Sequence, residues 1–175
     1  MGAVSASVRS ANPTFMNIRY DMIAVHVVRP DETGQSHEFL QLRRSAGDYM
    51  GGTWQIVRGT SNPGEKAWEA ALRELREETG LTPRRFYRLG LMETFYMPVN
   101  ETVWHVPNFV AVVGREDKVL LNEEHEAFRW TPRERIDAET MWASERLVLA
   151  ELMREVLDGA SKAEHLRLCQ GQEPD

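Results

Sequence analysis

The chain has 175 residues, with 27 acidic and 21 basic side chains, so its formal net charge near neutral pH is -6. The length predicts one domain, and fractions of 42% apolar and 27% charged residues exclude a disordered or fibrous chain. An acidic chain without clusters of Lys and Arg is poorly suited to the phosphate backbone of long nucleic acid, so we expect no such partner.

Targeting and membrane segments are not expected either. The apolar run from Met22 to Val28 is much shorter than the ~20 residues that cross a bilayer, and the first 15 residues lack the apolar stretch of a secretory signal. The single cysteine, Cys169, cannot form an internal disulfide. These features predict a cytoplasmic protein without membrane contact, and they leave monomer and homodimer open.

The predicted elements lie between two tails, residues 1–16 and 159–175, which leaves 17–158 as the working domain. Apolar and β-branched runs predict a β-hairpin over 18–28 and 37–44 and a short strand over 54–57. A helix is predicted from about residue 63 to Gly80, because glycine suits the left-handed position after a helix end. Two longer strands follow over 85–97 and 101–113, then a short strand over 128–130 and a helix over 143–157.

The first predicted helix carries both an apolar stripe and a set of carboxylates. The stripe has the spacing i, i+3, i+4, i+7 of a buried helix face and consists of Trp68, Ala71, Leu72 and Leu75. Glu74 and Glu78 are four residues apart, so they lie one turn apart at the margin of that face, and Glu77 can join them. Like charges at a partly desolvated margin repel unless a cation lies between them, which favours a divalent ion such as Mg²⁺.

Two further charged residues belong to this helix. Arg73 is one turn from Glu77 and is the expected partner that fixes it. Glu65 is near the start of the helix, where an acid is favoured by the positive end of the dipole, so it is either a capping acid or a functional group.

The spacing of these residues resembles the Nudix box, whose pattern is G, five residues, E, seven residues, then REUxEExGU with U apolar. The chain matches it at nine defined positions: Gly59, Glu65, Arg73, Glu74, Leu75, Glu77, Glu78, Gly80 and Leu81. A motif of this length in a strand, loop and helix context is far more specific than a short glycine motif.

This resemblance implies a Mg²⁺-dependent hydrolase of nucleoside diphosphates linked to another group, with Mn²⁺ as a possible substitute. The implied fold is α/β, an α/β/α sandwich with a mixed central sheet in a single domain. Position by position, Glu74, Glu77 and Glu78 match metal-binding glutamates, Arg73 the orienting arginine and Gly59 the loop glycine. The chemistry is then attack of water on a phosphorus of a pyrophosphate linkage.

The general base is left open between two glutamates. It is either Glu74 in the box or Glu124 in the polar loop before the last predicted strand, where Glu124 is also a candidate metal ligand or a surface acid. His125 beside it is expected to be structural or adjacent to the substrate.

Shorter segments suggest a substrate. The stretches 41–44, 54–59 and 124–130 resemble the dihydroneopterin triphosphate and dATP pyrophosphohydrolase branch, which implies a nucleoside or pterin triphosphate. In this interpretation Arg43 meets the phosphates, and Arg58 either adds a phosphate contact or closes the pocket to that substrate. Trp104 on a later strand either stacks on the substrate ring or belongs to the core.

Two alternatives remain at this stage. Tyr96 and Pro98 are of the residue types that mark relatives acting on ADP-ribose or dinucleoside polyphosphates, so substrates of those classes stay open. A non-catalytic nucleotide-binding domain of the same fold is the second class, although such a domain would be expected to lose box glutamates that this chain retains.

Overall fold

The computed structural model describes residues 16–48 and 50–168, which form one mixed eight-stranded sheet with helices on both faces. The strands are β1 (Asn17–Arg19), β2 (Met22–Pro30), β3 (His37–Arg44), β4 (Trp54–Gln55), β5 (Val57–Thr60), β6 (Arg85–Met97), β7 (Thr102–Val112) and β8 (His125–Pro132). The helices are α1 (Ala67–Thr79), α2 (Arg133–Glu139), α3 (Ala143–Glu151) and α4 (Ala160–Leu166), with a 3-10 turn at Pro98–Asn100 and a π-helical segment at Leu152–Leu157.

Strand β2 is the centre of the sheet, as its unbroken run of buried residues requires. It pairs in parallel with β7 and antiparallel with both β3 and β5. Strand β7 pairs with β6 and β1, and β3 pairs with β4 and β8. The β2 and β3 pair confirms the predicted hairpin, whereas the predicted strand over 18–28 is divided into β1 and β2 at residues 20 and 21.

Each face of the sheet is covered by a helix that buries an apolar side. Helix α1 contributes Ala70, Ala71 and Leu75 to a core cluster with alternate residues of β2. Val148 and Leu149 of α3 join a second cluster on the opposite face. Because successive side chains of a strand point to opposite faces, β2 supplies both clusters. The α/β/α sandwich with a mixed sheet is therefore confirmed.

The helix boundaries differ from the sequence prediction in three places. Helix α1 begins at Ala67 rather than near residue 63, because the chain turns at Gly64, whose φ is +83°. The predicted helix over 143–157 changes from α to π hydrogen bonding at Leu152. Helix α4 lies inside the segment predicted as a C-terminal tail, and its Ala163 is buried in the second cluster.

Three further predictions concern the chain ends, the end of α1 and membrane spans. Residues 1–15 and 169–175, including Cys169, lie outside the described residues. Gly80 ends α1 at φ +68° and donates its N–H to the Arg76 carbonyl, as the sequence predicts. No helix within 16–48 and 50–168 combines the length and apolarity that a membrane span needs.

A histidine in the centre of the sheet makes the stability pH-dependent. His26 is fully buried, both ring nitrogens lack hydrogen-bond partners among the described residues, and burial followed by the nearby Arg58 charge lowers its pKa to about 3. The unfolded chain binds the proton near pH 6.5, so the free energy of unfolding falls as the pH drops below that value. Between pH 7 and pH 5 this histidine alone should remove about 2 kcal/mol.

The measurement is urea unfolding of the wild type and a His26→Leu variant at both pH values. Over this interval the free energy of unfolding of the variant should fall by about 2 kcal/mol less than that of the wild type, because the variant lacks the titrating histidine. The surface carboxylates are the same in both proteins, so their titration cancels in the comparison. Equal losses in the two proteins would contradict the assignment.

Candidate active site

The carboxylates of α1 meet the sheet at β5. A Cβ built on Gly59 would lie 2.0 Å from the Glu74 carboxyl carbon, so the side chain of Glu74 fits only because this residue is glycine. The backbone amides of Arg58 and Thr60, on either side of Gly59, face Glu78 and Glu74 respectively and partly offset the rise in the pKa of those carboxyls that burial causes. Strand β5 therefore lies directly against the carboxylates of Glu74 and Glu78.

Glu78 is the most deeply placed of the box glutamates. It is 2% exposed, and its Oε2 atom has no hydrogen-bond partner among the described residues. Burial, reinforced by the charges of Glu74 and Glu124, raises the pKa of this carboxyl to about 9. A buried carboxylate oxygen without a partner is costly unless a cation occupies the space beside it.

Arg73 connects the remaining acids. Its Nε and Nη2 donate to the two carboxylate oxygens of Glu65 at 2.9 Å each, and its Nη1 donates to Glu74 at 2.8 Å and to Glu77 at 3.0 Å. The predicted contact between Arg73 and Glu77 is therefore present. Glu65 also accepts from the Asn62 backbone, so it anchors Arg73 and the loop before α1. Glu77 is 55% exposed and lies on the outer side of the group.

The donor set fits a hard divalent cation. Within 16–48 and 50–168 no three His, Cys, Asp or Glu side chains already converge as ligands, since Arg73 draws Glu74 and Glu77 toward itself. The unpartnered Oε2 of Glu78 nevertheless lies where the charges of Glu74 and Glu124 also act. Carboxylate oxygens of this kind suit Mg²⁺ or Mn²⁺ rather than a soft metal.

The loop before β8 brings Glu124 and His125 to the same place. Glu124 is 51% exposed and its Oε2 is 3.9 Å from the Arg44 Nη2. His125 is buried, with its Nε2 3.8 Å from the Glu78 Oε2, and burial lowers its pKa. A neutral imidazole at this position supports the site structurally.

Arg43, the predicted phosphate contact, and Arg44 are adjacent at the end of β3 but have different surroundings. Arg43 contacts Glu126 at 3.1 Å and the Gly52 carbonyl at 3.3 Å. Arg44 lines the neighbouring cavity, and its charge acts on Glu78. The β3 and β8 pairing changes register between these two residues.

A cavity of about 470 Å³ adjoins the carboxylates. Its lining includes Arg44, Gly59 and Thr60, and the close approach of Gly59 to the Glu74 carboxylate connects the cavity to the acidic group. Its walls are mostly apolar and include Phe95, Tyr96, Met97, Pro98 and Trp142. A pocket of this size and lining suits the ring and sugar of one nucleoside.

Arg58 and Trp104 do not have the surroundings expected of residues that contact the substrate. Arg58 lines the cavity, but its Nη2 donates to Glu93 at 2.6 Å and to Glu145 at 3.2 Å, so its positive charge is already balanced by two acids, which argues against the predicted contact with an anionic phosphate. Trp104 is 6% exposed and packs between the Arg19 guanidinium and the Phe95 ring, so of its two predicted roles the structure gives it the core one. Phe95 takes the wall position instead.

The chain resembles known proteins in both sequence and structure. A family model described as NUDIX domain matches residues 21–152. Over 106 residues the chain is 34% identical to the bis(5'-nucleosyl)-tetraphosphatase [asymmetrical] of Mus musculus, covering 58% of this chain and 68% of that protein. Across the first curated relatives the chain spans about two thirds of their length, from 63% to 68%.

Solved structures agree with the family match. A C. elegans Ap4A hydrolase binary complex superimposes with a TM-score of 0.65 and 25% identity over 78% of this chain and 97% of the other. The E. coli dihydroneopterin triphosphate pyrophosphohydrolase gives a TM-score of 0.61 at 22% identity, covering 79% and 98%, and so shares the fold.

Proposed function

The chain belongs to the NUDIX domain family of hydrolases, and from that premise we propose that it is a Mg²⁺-dependent pyrophosphohydrolase of a nucleoside or pterin triphosphate. The observation that carries this proposal is the buried, unpartnered Oε2 of Glu78 beside a cavity of nucleoside size. A buried oxygen without a hydrogen-bond partner destabilises the fold, whereas a metal-dependent hydrolase can use such a carboxylate to hold its cation.

The reaction is attack of a water oxygen on a phosphorus of the pyrophosphate linkage. The bridging P–O bond breaks, and the departing phosphate or pyrophosphate takes the electron pair. Glu78 and Glu74, with Glu124, would hold the ion, which when bound neutralises phosphate oxygens and lowers the pKa of water. Arg73 keeps Glu74 and Glu77 in place, and Gly59 leaves room for the Glu74 carboxylate.

The base stays open between Glu74 and Glu124. Glu124 is the better placed for exchange with solvent, since half of its side chain is exposed, whereas Glu74 is held by Arg73. If Glu124 is the base or a ligand, the Glu124→Gln variant should lose about 100-fold or more in kcat. Glu126→Gln, two residues away on the outer edge, is the control and should change little. Equal activity in both variants would leave Glu74 as the base.

Dinucleoside polyphosphates are the second candidate substrates. The mouse relative is named for a bis(5'-nucleosyl) tetraphosphate, and Tyr96 and Pro98 lie at the cavity. Both classes present one base to the cavity and a chain of phosphates to the carboxylates, so the two share one binding mode.

The test is a panel of nucleoside triphosphates, dihydroneopterin triphosphate, dinucleoside polyphosphates and ADP-ribose, assayed for phosphate and pyrophosphate release. We expect one class to be cleaved in Mg²⁺ and none in a chelator. Binding of these compounds without cleavage of any would instead support the non-catalytic domain.

The two arginines of β3 give a matched pair of variants. Arg44→Met should raise KM about tenfold or more, because the Arg44 guanidinium lines the cavity and would donate charge-assisted hydrogen bonds to the phosphates of the substrate. Arg43→Met should stay within about twofold, since Arg43 contacts Glu126 instead. Steady-state kinetics on the best substrate compares them, and a larger effect of Arg43→Met would restore the original prediction.

A further inference from the structure

The lining of the cavity includes charged and hydroxyl groups, although most of it is apolar. Arg58, Glu93 and Ser144 all line it. Glu93 is 2% exposed and is the most deeply buried of the three, so it can meet only a group that enters the cavity. Charged groups in an apolar cavity are costly unless they are paired, and a ligand that matches them gains specificity.

Each oxygen of the Glu93 carboxylate already has one donor. Arg58 Nη2 donates to Oε2 at 2.6 Å, and the Ser144 Oγ donates to Oε1 at 2.8 Å. A carboxylate has about four acceptor positions, so Glu93 retains capacity for two more donors. Glu145 provides a second acceptor for Arg58 at 3.2 Å, which keeps the guanidinium fixed when a ligand engages Glu93.

The chemistry of these groups selects among bases. The carboxylate of Glu93 accepts hydrogen bonds from Arg58 and Ser144, whereas the arginine only donates them. The Watson–Crick edge of guanine presents an acceptor, O6, followed by two donors, N1–H and the N2 amino group. Adenine presents one donor and one acceptor on its corresponding edge, and hypoxanthine lacks the N2 donors. Guanine therefore makes the largest number of matching contacts.

The walls are consistent with a planar purine. Phe95 and Tyr96 come from β6, and Trp142 comes from the residue before α3, so aromatic side chains reach the cavity from two different elements. Aromatic and apolar surfaces stack on any base and carry little selectivity. Discrimination between bases therefore depends on the polar side chains of the lining.

We propose that this cavity recognises a guanine base, with Glu93 accepting from N1–H and N2 and Arg58 donating to O6. The proposal rests on the proposed function, since it names the base of the nucleotide that the carboxylates would cleave. It assigns Glu93 as a specificity-determining residue that lies outside the box.

The test compares binding and hydrolysis separately. Equilibrium binding of GMP, IMP and AMP is measured by calorimetry, and hydrolysis of GTP, ITP and ATP gives kcat/KM in Mg²⁺. We expect GMP and GTP to be favoured over the adenine compounds by about tenfold or more, with hypoxanthine between them. Equal or stronger binding of AMP than GMP would overturn the proposal. Absence of hydrolysis together with a guanine preference in binding would overturn the proposed function and leave this inference standing.

Variants assign the preference to Glu93. Glu93→Gln replaces one acceptor by an amide donor, so the ratio of guanine to adenine affinity should fall to near one. Glu145→Gln retains the Glu93 carboxylate and its Arg58 contact and should keep the ratio. If both variants lower all affinities equally, the cluster is structural and the assignment is wrong. Should Glu93→Gln fail to fold, the wild-type ranking of GMP, IMP and AMP decides the proposal.

Discussion

Replacing Glu78 with Gln is expected to lower kcat at least ~100-fold while the metal-free protein unfolds at a higher temperature than the wild type. The activity falls because a buried carboxylate oxygen in the acidic group is lost, and even groups that only support metal ligands are worth 10- to 100-fold. The stability rises because folding no longer desolvates an acid whose pKa is raised to about 9.

The measurements are steady-state kinetics on the best substrate and thermal unfolding with and without Mg²⁺. Mg²⁺ should raise the unfolding temperature of the wild type but not of the variant, because a ligand that binds only the folded state stabilises it. Glu164→Gln is the control, since Glu164 is an exposed acid on α4, which packs on the opposite face of the sheet from α1. Unchanged turnover in Glu78→Gln would remove Glu78 from the site.

A single methyl group on Gly59 should have an effect of similar size. The added Cβ of Gly59→Ala would lie 2.0 Å from the Glu74 carboxyl carbon and 2.3 Å from its Oε1, so the carboxylate must move. Displacing a reacting or ligating group by about 1 Å can cost ~100-fold in rate. We therefore expect kcat to fall by about that factor.

The fold should survive this change, because a flexible side chain rather than backbone gives way. Gly47→Ala is the control, since no atom lies within 4 Å of its added Cβ. Circular dichroism establishes folding and kinetics establishes the loss. A Gly59→Ala enzyme with wild-type kcat would mean that the Glu74 position is unimportant.

The sequence alone determined what depends on local spacing. The period of a helix places Glu74 and Glu78 on one side and brings Arg73 to Glu77, and the structure contains both arrangements. The burial of Glu78 also follows, because it lies at the margin of the apolar stripe that packs on the sheet. The sandwich fold is what the resemblance to the box implies, and the order of the predicted elements fits it, although weak apolar periodicity concealed the helices α2 and α4.

Only the tertiary structure decided the contacts between residues far apart in the chain. Arg44 rather than Arg43 lines the cavity, and no local pattern distinguishes these two adjacent arginines. Arg58 is held by Glu93 and Glu145, which are 35 and 87 residues away. Local periodicity fixes which side of its own element a residue occupies, but the group opposite it is set by the packing of the whole sheet.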